Sequence, residues 1–211
     1  MKKDYDVVVF DLDGTMLDTS RGVINCVQYA LEKLGFEKLP METARRFVGP
    51  PLHAAFIEFV GMDEETAHKA VATYRERYAP VGVLECVAYP GILSLIRDIK
   101  AAGKKIAVAT GKPEKFARIC LGKEGIMECV DFITTPELTD TKDIKPLLVK
   151  RCLDRLGENA VMIGDRDLDI NGAQENHIDS IGVTYGFGAA EEFTGATYIA
   201  ENVEEIRKIL L

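Results

Sequence analysis

Two aspartates, Asp11 and Asp13, stand i, i+2 directly after Val7-Val8-Val9-Phe10 and are followed by Gly14-Thr15. On an extended chain carboxylates at that spacing share a face, and at a strand end they converge on one small volume. Two such groups repel each other, so the arrangement suits a bound cation or a proton-transfer task. Asp and Gly are also ordinary turn formers, and an Asx-type turn accounts for the same nonapeptide; the stretch alone leaves both readings open. Similar residue types recur twice. Thr110-Gly111-Lys112 follows Ile106-Ala107-Val108-Ala109, and Gly164-Asp165, with Asp167 and Asp169 close behind, follows Ala160-Val161-Met162-Ile163.

The elements that must position these groups are short apolar strands. Val7 to Phe10 is continuously apolar and mostly β-branched, the pattern of a strand buried on both faces in a parallel sheet. Strands are expected also at 106–109, 131–134, 160–163 and, as the last one, 180–184. Helices are expected from Ile92 to Gly103, after Pro113, from Ile144 to Leu156 and from Val203 to Leu211. Strands alternating with helices of this length make a doubly wound α/β fold. The alternation is interrupted after the first strand. Residues 17–86 read as helices only, with Asp18-Thr19-Ser20 supplying N-cap residues for the first and Pro51 the first position of another. The expected organisation is therefore a core of residues 1–16 and 87–211 with a helical domain, 17–86, inserted into it.

In open parallel sheets ligands sit beyond the carboxyl ends of the strands. Asp11, Asp13, Thr110, Gly111 and Asp165 all fall at such ends. Turn chemistry explains any one of these sites, but three together are hard to assign to turns. The helices that follow also present free N–H groups suited to an anion. Carboxylates beside anion-binding donors need a metal to reconcile them, and hard oxygen ligands favour Mg2+.

The bulk properties narrow the partners. At 211 residues the chain can hold one sizeable core and a smaller lobe, and its net charge of −8 argues against a nucleic acid polymer or an anionic membrane. No apolar run spans a bilayer, and the N-terminus shows no signal-like segment, so a cytoplasmic protein is expected. The five cysteines form no C-x-x-C pair and read as free thiols in a reducing compartment. A monomer is the default.

With its motifs in this order, the sequence resembles the haloacid-dehalogenase-type hydrolase superfamily, in the branch with a helical cap after the first strand. The family's D-x-D-G-T motif matches Asp11-Leu12-Asp13-Gly14-Thr15, its strand-end Ser/Thr matches Thr110, and its G-D-x-x-x-D motif matches Gly164 to Asp169. The family lysine best matches Lys145, with Lys142 and Lys150 as neighbours. Phe47-Val48-Gly49-Pro50-Pro51-Leu52, Val161 to Arg166 and Tyr185-Gly186-Phe187-Gly188 are similar to the phosphoglycolate-phosphatase-like group, and within it to bacterial 5′-nucleotidases. The resemblance implies a small phosphorylated metabolite as substrate, Asp11 as nucleophile and Asp13 as acid and base. It also implies a metal on Asp11, Asp165 and the Asp13 carbonyl, and Lys145 opposite. Phosphoryl oxygens would be held by Thr110 and the N–H groups of Leu12, Asp13 and Gly111, with Asp169 acting from behind the metal. Rival readings are a phosphomutase of the β-phosphoglucomutase type and a phospho-aspartate signalling module.

Other positions carry weaker signals. Arg45, Arg46 and Gly49 are possible cap contacts to substrate, although exposed arginines are usually solvated. Lys112 reads equally as a phosphate contact or a helix-start surface lysine, and Tyr185 to Gly188 as a border of the metal rim or a plain turn. His53, His68 and His177 read as surface residues rather than ligands.

Overall fold

The computed structural model describes residues 3–137 and 144–211. The chain divides into two compact units, Met1–Asp18 with Ala88–Leu211, and Thr19–Val87. Two-residue strands, Leu17–Asp18 and Val87–Ala88, stand at the two crossings.

The first unit is built on six parallel strands: β1 (Val7–Phe10), β2 (Lys105–Ala109), β3 (Phe132–Thr134), β4 (Ala160–Gly164), β5 (Asp179–Val183) and β6 (Tyr198–Ala200). Their spatial order is β3-β2-β1-β4-β5-β6. Val8 lies between Ile106 of β2 and Val161 of β4, so the first strand is central. From β1 the chain winds outward to β3, then returns to the other side of β1 for β4 to β6. The winding direction reverses between β1 and β4, which is where open α/β sheets leave a crevice for ligand. Asp11 and Asp165 are the residues that immediately follow those two strands.

Every residue of β1 is fully buried, which explains the absence of polar alternation in its sequence. Val7 and Val9 belong to a core cluster with Leu148, Val149 and Cys152 of α7 (Ile144–Leu156) and Ala173 of α8 (Asp167–Glu175). The opposite side carries α5 (Ile92–Ala101), which packs on β2 and on α9 (Val203–Leu210) through a buried stripe of Ile92, Leu95, Ile96 and Ile99. Burying each of these aliphatic side chains is worth about 1.5–3 kcal/mol. This burial holds the floor of the crevice in place. α6 (Glu114–Lys123) follows β2, with Pro113 capping rather than starting it.

The second unit contains α1 (Ser20–Lys33), α2 (Met41–Arg45), α3 (Leu52–Val60) and α4 (Glu64–Tyr78). α4 packs on both α1 and α3. Phe47 sets its ring edge-on to Phe56 and Phe59 at 5.0 and 5.4 Å, and Tyr74 stacks on Tyr78 at 5.1 Å.

Three expectations need correction. Pro51 is the residue before α3, not its first position. Thr19 occupies the N-cap of α1 but makes no side-chain capping bond. The strand β6 was not anticipated, because its three residues carry an exposed Ile199 and no alternation long enough to read.

Candidate active site

Asp11 reaches its position because β1 is rigid and Lys145 waits for it. Lys145 sits in the first turn of α7, and the packing of that helix on β1 and β2 carries the side chain into the sheet edge. Its ammonium, nearly buried, donates to Asp11 Oδ1 at 2.5 Å and to the Ala109 carbonyl at 2.9 Å, and lies 2.8 Å from Asp169 Oδ1. Two of its donors are thus held by Asp11 and Ala109, with Asp169 at ion-pair distance. Lys150 instead pairs with Asp154 on the exposed face of the same helix; Lys142 lies outside the described residues. Burial pushes the Asp11 carboxyl up to about 8, with Lys145 pulling it down and Asp169 and Asp165 adding to the rise. Burial acts against the charge of Lys145, but Asp11 and Asp169 outweigh it and raise the ammonium above the ordinary lysine range.

Asp165 is fully buried in a cradle made by three stretches of chain. Thr15 Oγ1 donates to its Oδ1 at 3.1 Å, and the Phe187 N–H donates to its Oδ2 at 2.8 Å. The Tyr185 hydroxyl ties the same loop to the Thr15 carbonyl at 2.9 Å. The loop presses so closely that a Cβ on Gly186 would lie 2.4 Å from both Asp165 Cβ and the Gly14 carbonyl oxygen. Tyr185 to Gly188 therefore borders this carboxylate and does more than turn the chain. Burial raises the Asp165 carboxyl to about 6 against those two hydrogen bonds. Behind it, Asp169 lies in the first turn of α8 with Oδ2 accepting from the Arg166 N–H at 3.1 Å. A Cβ at Gly164 would stand 2.1 Å from the Asp169 carboxyl carbon, so only glycine lets that side chain fold under the strand end.

Asp13 takes a different partner. Its Oδ1 lies 3.0 Å from Lys112 Nζ, both side chains being mostly buried. The Lys112 backbone N–H in turn donates to Thr110 Oγ1 at 3.1 Å, so one short loop links the hydroxyl to the second aspartate. Lys112 is accordingly no surface lysine. Gly111 is exposed with open space where a Cβ would stand, whereas the Leu12 side chain is buried and its carbonyl accepts from Met16 and Leu17. The Lys112 and Thr15 contacts were not read from the sequence, because each needs the β2-β1-β4 strand order.

Oxygens of Asp11, Asp165 and Asp169 lie within 4.8 Å of one another, each side chain buried. Lys145 pairs with two of these carboxylates, Asp11 and Asp169, and burial holds the carboxyls of Asp11 and Asp165 above the ordinary carboxylate range. A cluster left that far from neutrality fits a divalent cation held by hard oxygens.

The cap candidates lie in the other unit. Arg46 stacks its guanidinium on the Phe59 ring at 4.0 Å and pairs with Glu58 at 3.4 Å; Gly49 takes a left-handed φ of 106°. Arg45 is exposed at the end of α2. His177 is exposed, while His53 and His68 meet each other.

Comparison with known proteins identifies the family. Residues 8–183 match the family model described as haloacid dehalogenase-like hydrolase. The 5′-nucleotidase of Pseudomonas aeruginosa is 36% identical over 98% of this chain and 96% of its own. The tyrosine-protein kinase PtkA of Mycobacterium tuberculosis is 33% identical over 97% of this chain and 72% of its own, and the phosphoglycolate phosphatase of Psychrobacter arcticus is 30% identical over 90% and 87%. A 1.7 Å crystal structure from Clostridium difficile superimposes with a TM-score of 0.91 at 38% identity, covering 100% of both chains.

Proposed function

This chain belongs to the haloacid dehalogenase-like hydrolase family, and we propose that it is a Mg2+-dependent phosphatase of small phosphomonoesters, 5′-nucleotides foremost, acting through an aspartyl-phosphate on Asp11. The observation that carries this reading is the convergence of Asp11, Lys145, Asp165 and Asp169 at the point where the sheet reverses its winding. The preference for nucleotides over phosphoglycolate rests on the higher identity to the nucleotidase.

An Asp11 oxygen attacks phosphorus, a new P–O bond forms, and the ester P–O bond breaks. Asp13 gives its proton to the departing oxygen, then takes one from the water that displaces phosphate from Asp11. A carboxylate at about 4 Å from a phosphate dianion is opposed by roughly 8 kcal/mol at an effective dielectric of about 20. Lys145 offsets part of that repulsion from one side. Mg2+ on Asp11, Asp165 and the Asp13 carbonyl, with Asp169 behind, would supply the remaining positive charge. Thr110 and the N–H groups of Leu12, Asp13 and Gly111 hold the phosphoryl oxygens. Lys112, paired with Asp13, keeps the acid at the mouth of this pocket. Arg46 and Gly49 remain the candidates for contacts to the rest of the substrate, a small phosphorylated metabolite met by a cytoplasmic monomer. No helix among the described residues is long and apolar enough to cross a membrane.

The test is a phosphate-release screen with Mg2+ across 5′-nucleotides, phosphoglycolate, sugar phosphates and phosphotyrosine peptides. The highest kcat/KM is expected on a 5′-nucleotide. Preference for phosphoglycolate would reject the substrate assignment, and phosphoryl transfer to a sugar phosphate or a tyrosine in place of water would reject hydrolysis. The cradle of Asp165 gives a second expectation. Gly186→Ala drives a methyl group into Asp165 and the Gly14 carbonyl, costing about 1–3 kcal/mol of stability and raising the Mg2+ needed for half-maximal rate. A magnesium titration unchanged from wild type would detach that loop from metal binding.

A further inference from the structure

The unit Thr19–Val87 carries its own group of metal-ligating side chains, unrelated to the acidic cluster. We propose that His53, Glu64 and His68 bind a transition-metal dication of the zinc class and that this ion pins α3 to α4.

Glu64 and His68 are one turn apart on α4, so both project from the same face. His53 comes from the first turn of α3, which packs on α4. One ligand atom from each lies within 4.8 Å of the other two. His53 Nε2 is 3.1 Å from Glu64 Oε2, and the two imidazole rings are 4.2 Å apart with planes inclined by 38°. A tetrahedral ion holding ligands at about 2.0–2.1 Å spaces them about 3.3 Å apart, so rotamer adjustments alone close the site. Two imidazoles and one carboxylate are borderline donors that favour zinc over magnesium, and three protein ligands leave a position for water.

An ordinary His53–Glu64 ion pair is the competing account, and one detail argues against it. Nε2 is shielded from solvent yet makes no hydrogen bond of acceptable geometry among the described residues, although the carboxylate oxygen is only 3.1 Å away. A ring nitrogen with no hydrogen bond, beside a carboxylate oxygen, can turn its lone pair to a cation that the carboxylate also holds. The platform beneath them is also prepared. Gly61 ends α3 in a left-handed conformation with φ 76°, Asp63 caps α4 by accepting the Thr66 N–H at 2.7 Å, and Phe47 braces Phe56 and Phe59 on α3. Glu64 and His68 are exposed, so the site can load from solvent.

Untagged full-length protein, with excess MgCl2 to occupy the acidic cluster, is titrated with ZnCl2 by calorimetry. Wild type is expected to take up one zinc equivalent more than H53Q/H68Q and to show a zinc-dependent rise in Tm that the double variant loses. Glu64→Gln should weaken both effects, and His177→Gln, at the remaining histidine, should keep them. Co2+ in place of Zn2+ should give visible d–d absorption that is lost in H53Q/H68Q. Equal zinc uptake and equal melting shifts in wild type and H53Q/H68Q would overturn the proposal. If circular dichroism shows that the double variant is misfolded, Glu64→Gln at its exposed position decides in the same way.

Discussion

Asp11→Asn is expected to abolish phosphate-ester hydrolysis, with kcat falling by about 10⁴-fold or more, while the folded protein loses no stability. The amide matches the carboxylate in shape but has neither the charge nor the nucleophilicity to attack phosphorus. The second half of the expectation separates loss of chemistry from loss of structure. Asp11 is one of three buried carboxylates clustered together, and its own carboxyl is pushed up to about 8 mainly by burial. Removing that charge relieves the crowding, and Lys145 keeps its contacts to Asp169 and the Ala109 carbonyl. Phosphate release and thermal melts on the same preparation check both halves. Substantial hydrolysis by the variant would remove Asp11 from the nucleophile's role, and a large drop in Tm would make the activity loss uninformative.

The groups that could be read from the sequence are those whose environment is local. Val7 to Phe10 announces a doubly buried strand because every residue is apolar, and Asp11 must stand at its end whatever lies around it. Lys145 is located only through the resemblance, which puts a lysine at the start of the helix before β4; its distance from Gly157 favours it over Lys142 and Lys150. What could not be read depends on which strands are neighbours. The Lys112–Asp13 pair exists because β2 lies beside β1, and the Thr15 and Phe187 bonds to Asp165 exist because β4 lies on the other side. Periodicity gives no strand order, so Lys112 reads equally as a phosphate contact or a helix-start surface lysine. β6 escaped for a related reason: an edge strand of three residues with one side exposed has too little pattern to distinguish it from a loop. The meeting of His53 with His68 joins residues from two helices whose packing the sequence does not encode in any spacing.

Lys145→Met tests the electrostatic logic of the site most directly, because it removes the only side-chain cation among the described residues that pairs with Asp11 and Asp169. Breaking one partner of a buried ion pair costs about 3–5 kcal/mol, and here the loss should depend on pH in a determined direction. A carboxyl whose folded pKa exceeds its unfolded value takes up protons on folding, so stability falls as pH rises through the interval between the two. In wild type the interval runs from the ordinary carboxylate range to about 6 for Asp165 and about 8 for Asp11. The metal-free protein is therefore expected to be more stable at pH 5 than at pH 8. Lys145 pulls Asp11 down, so its removal raises that carboxyl further and steepens the decline. The ammonium itself stays charged throughout this range, since its own pKa is raised, and adds no opposing slope. Urea melts at pH 5 and pH 8 should show a gap between wild type and Lys145→Met that is small at the lower pH and widest at the higher. Mg2+ should narrow it by returning positive charge to the cluster. A gap that is the same at both pH values would mean that Lys145 stabilises the fold through its packing and not through the carboxylates. Lys145→Arg should recover little activity, because a planar fork cannot direct donors to Asp11, Asp169 and the Ala109 carbonyl as a tetrahedral ammonium does.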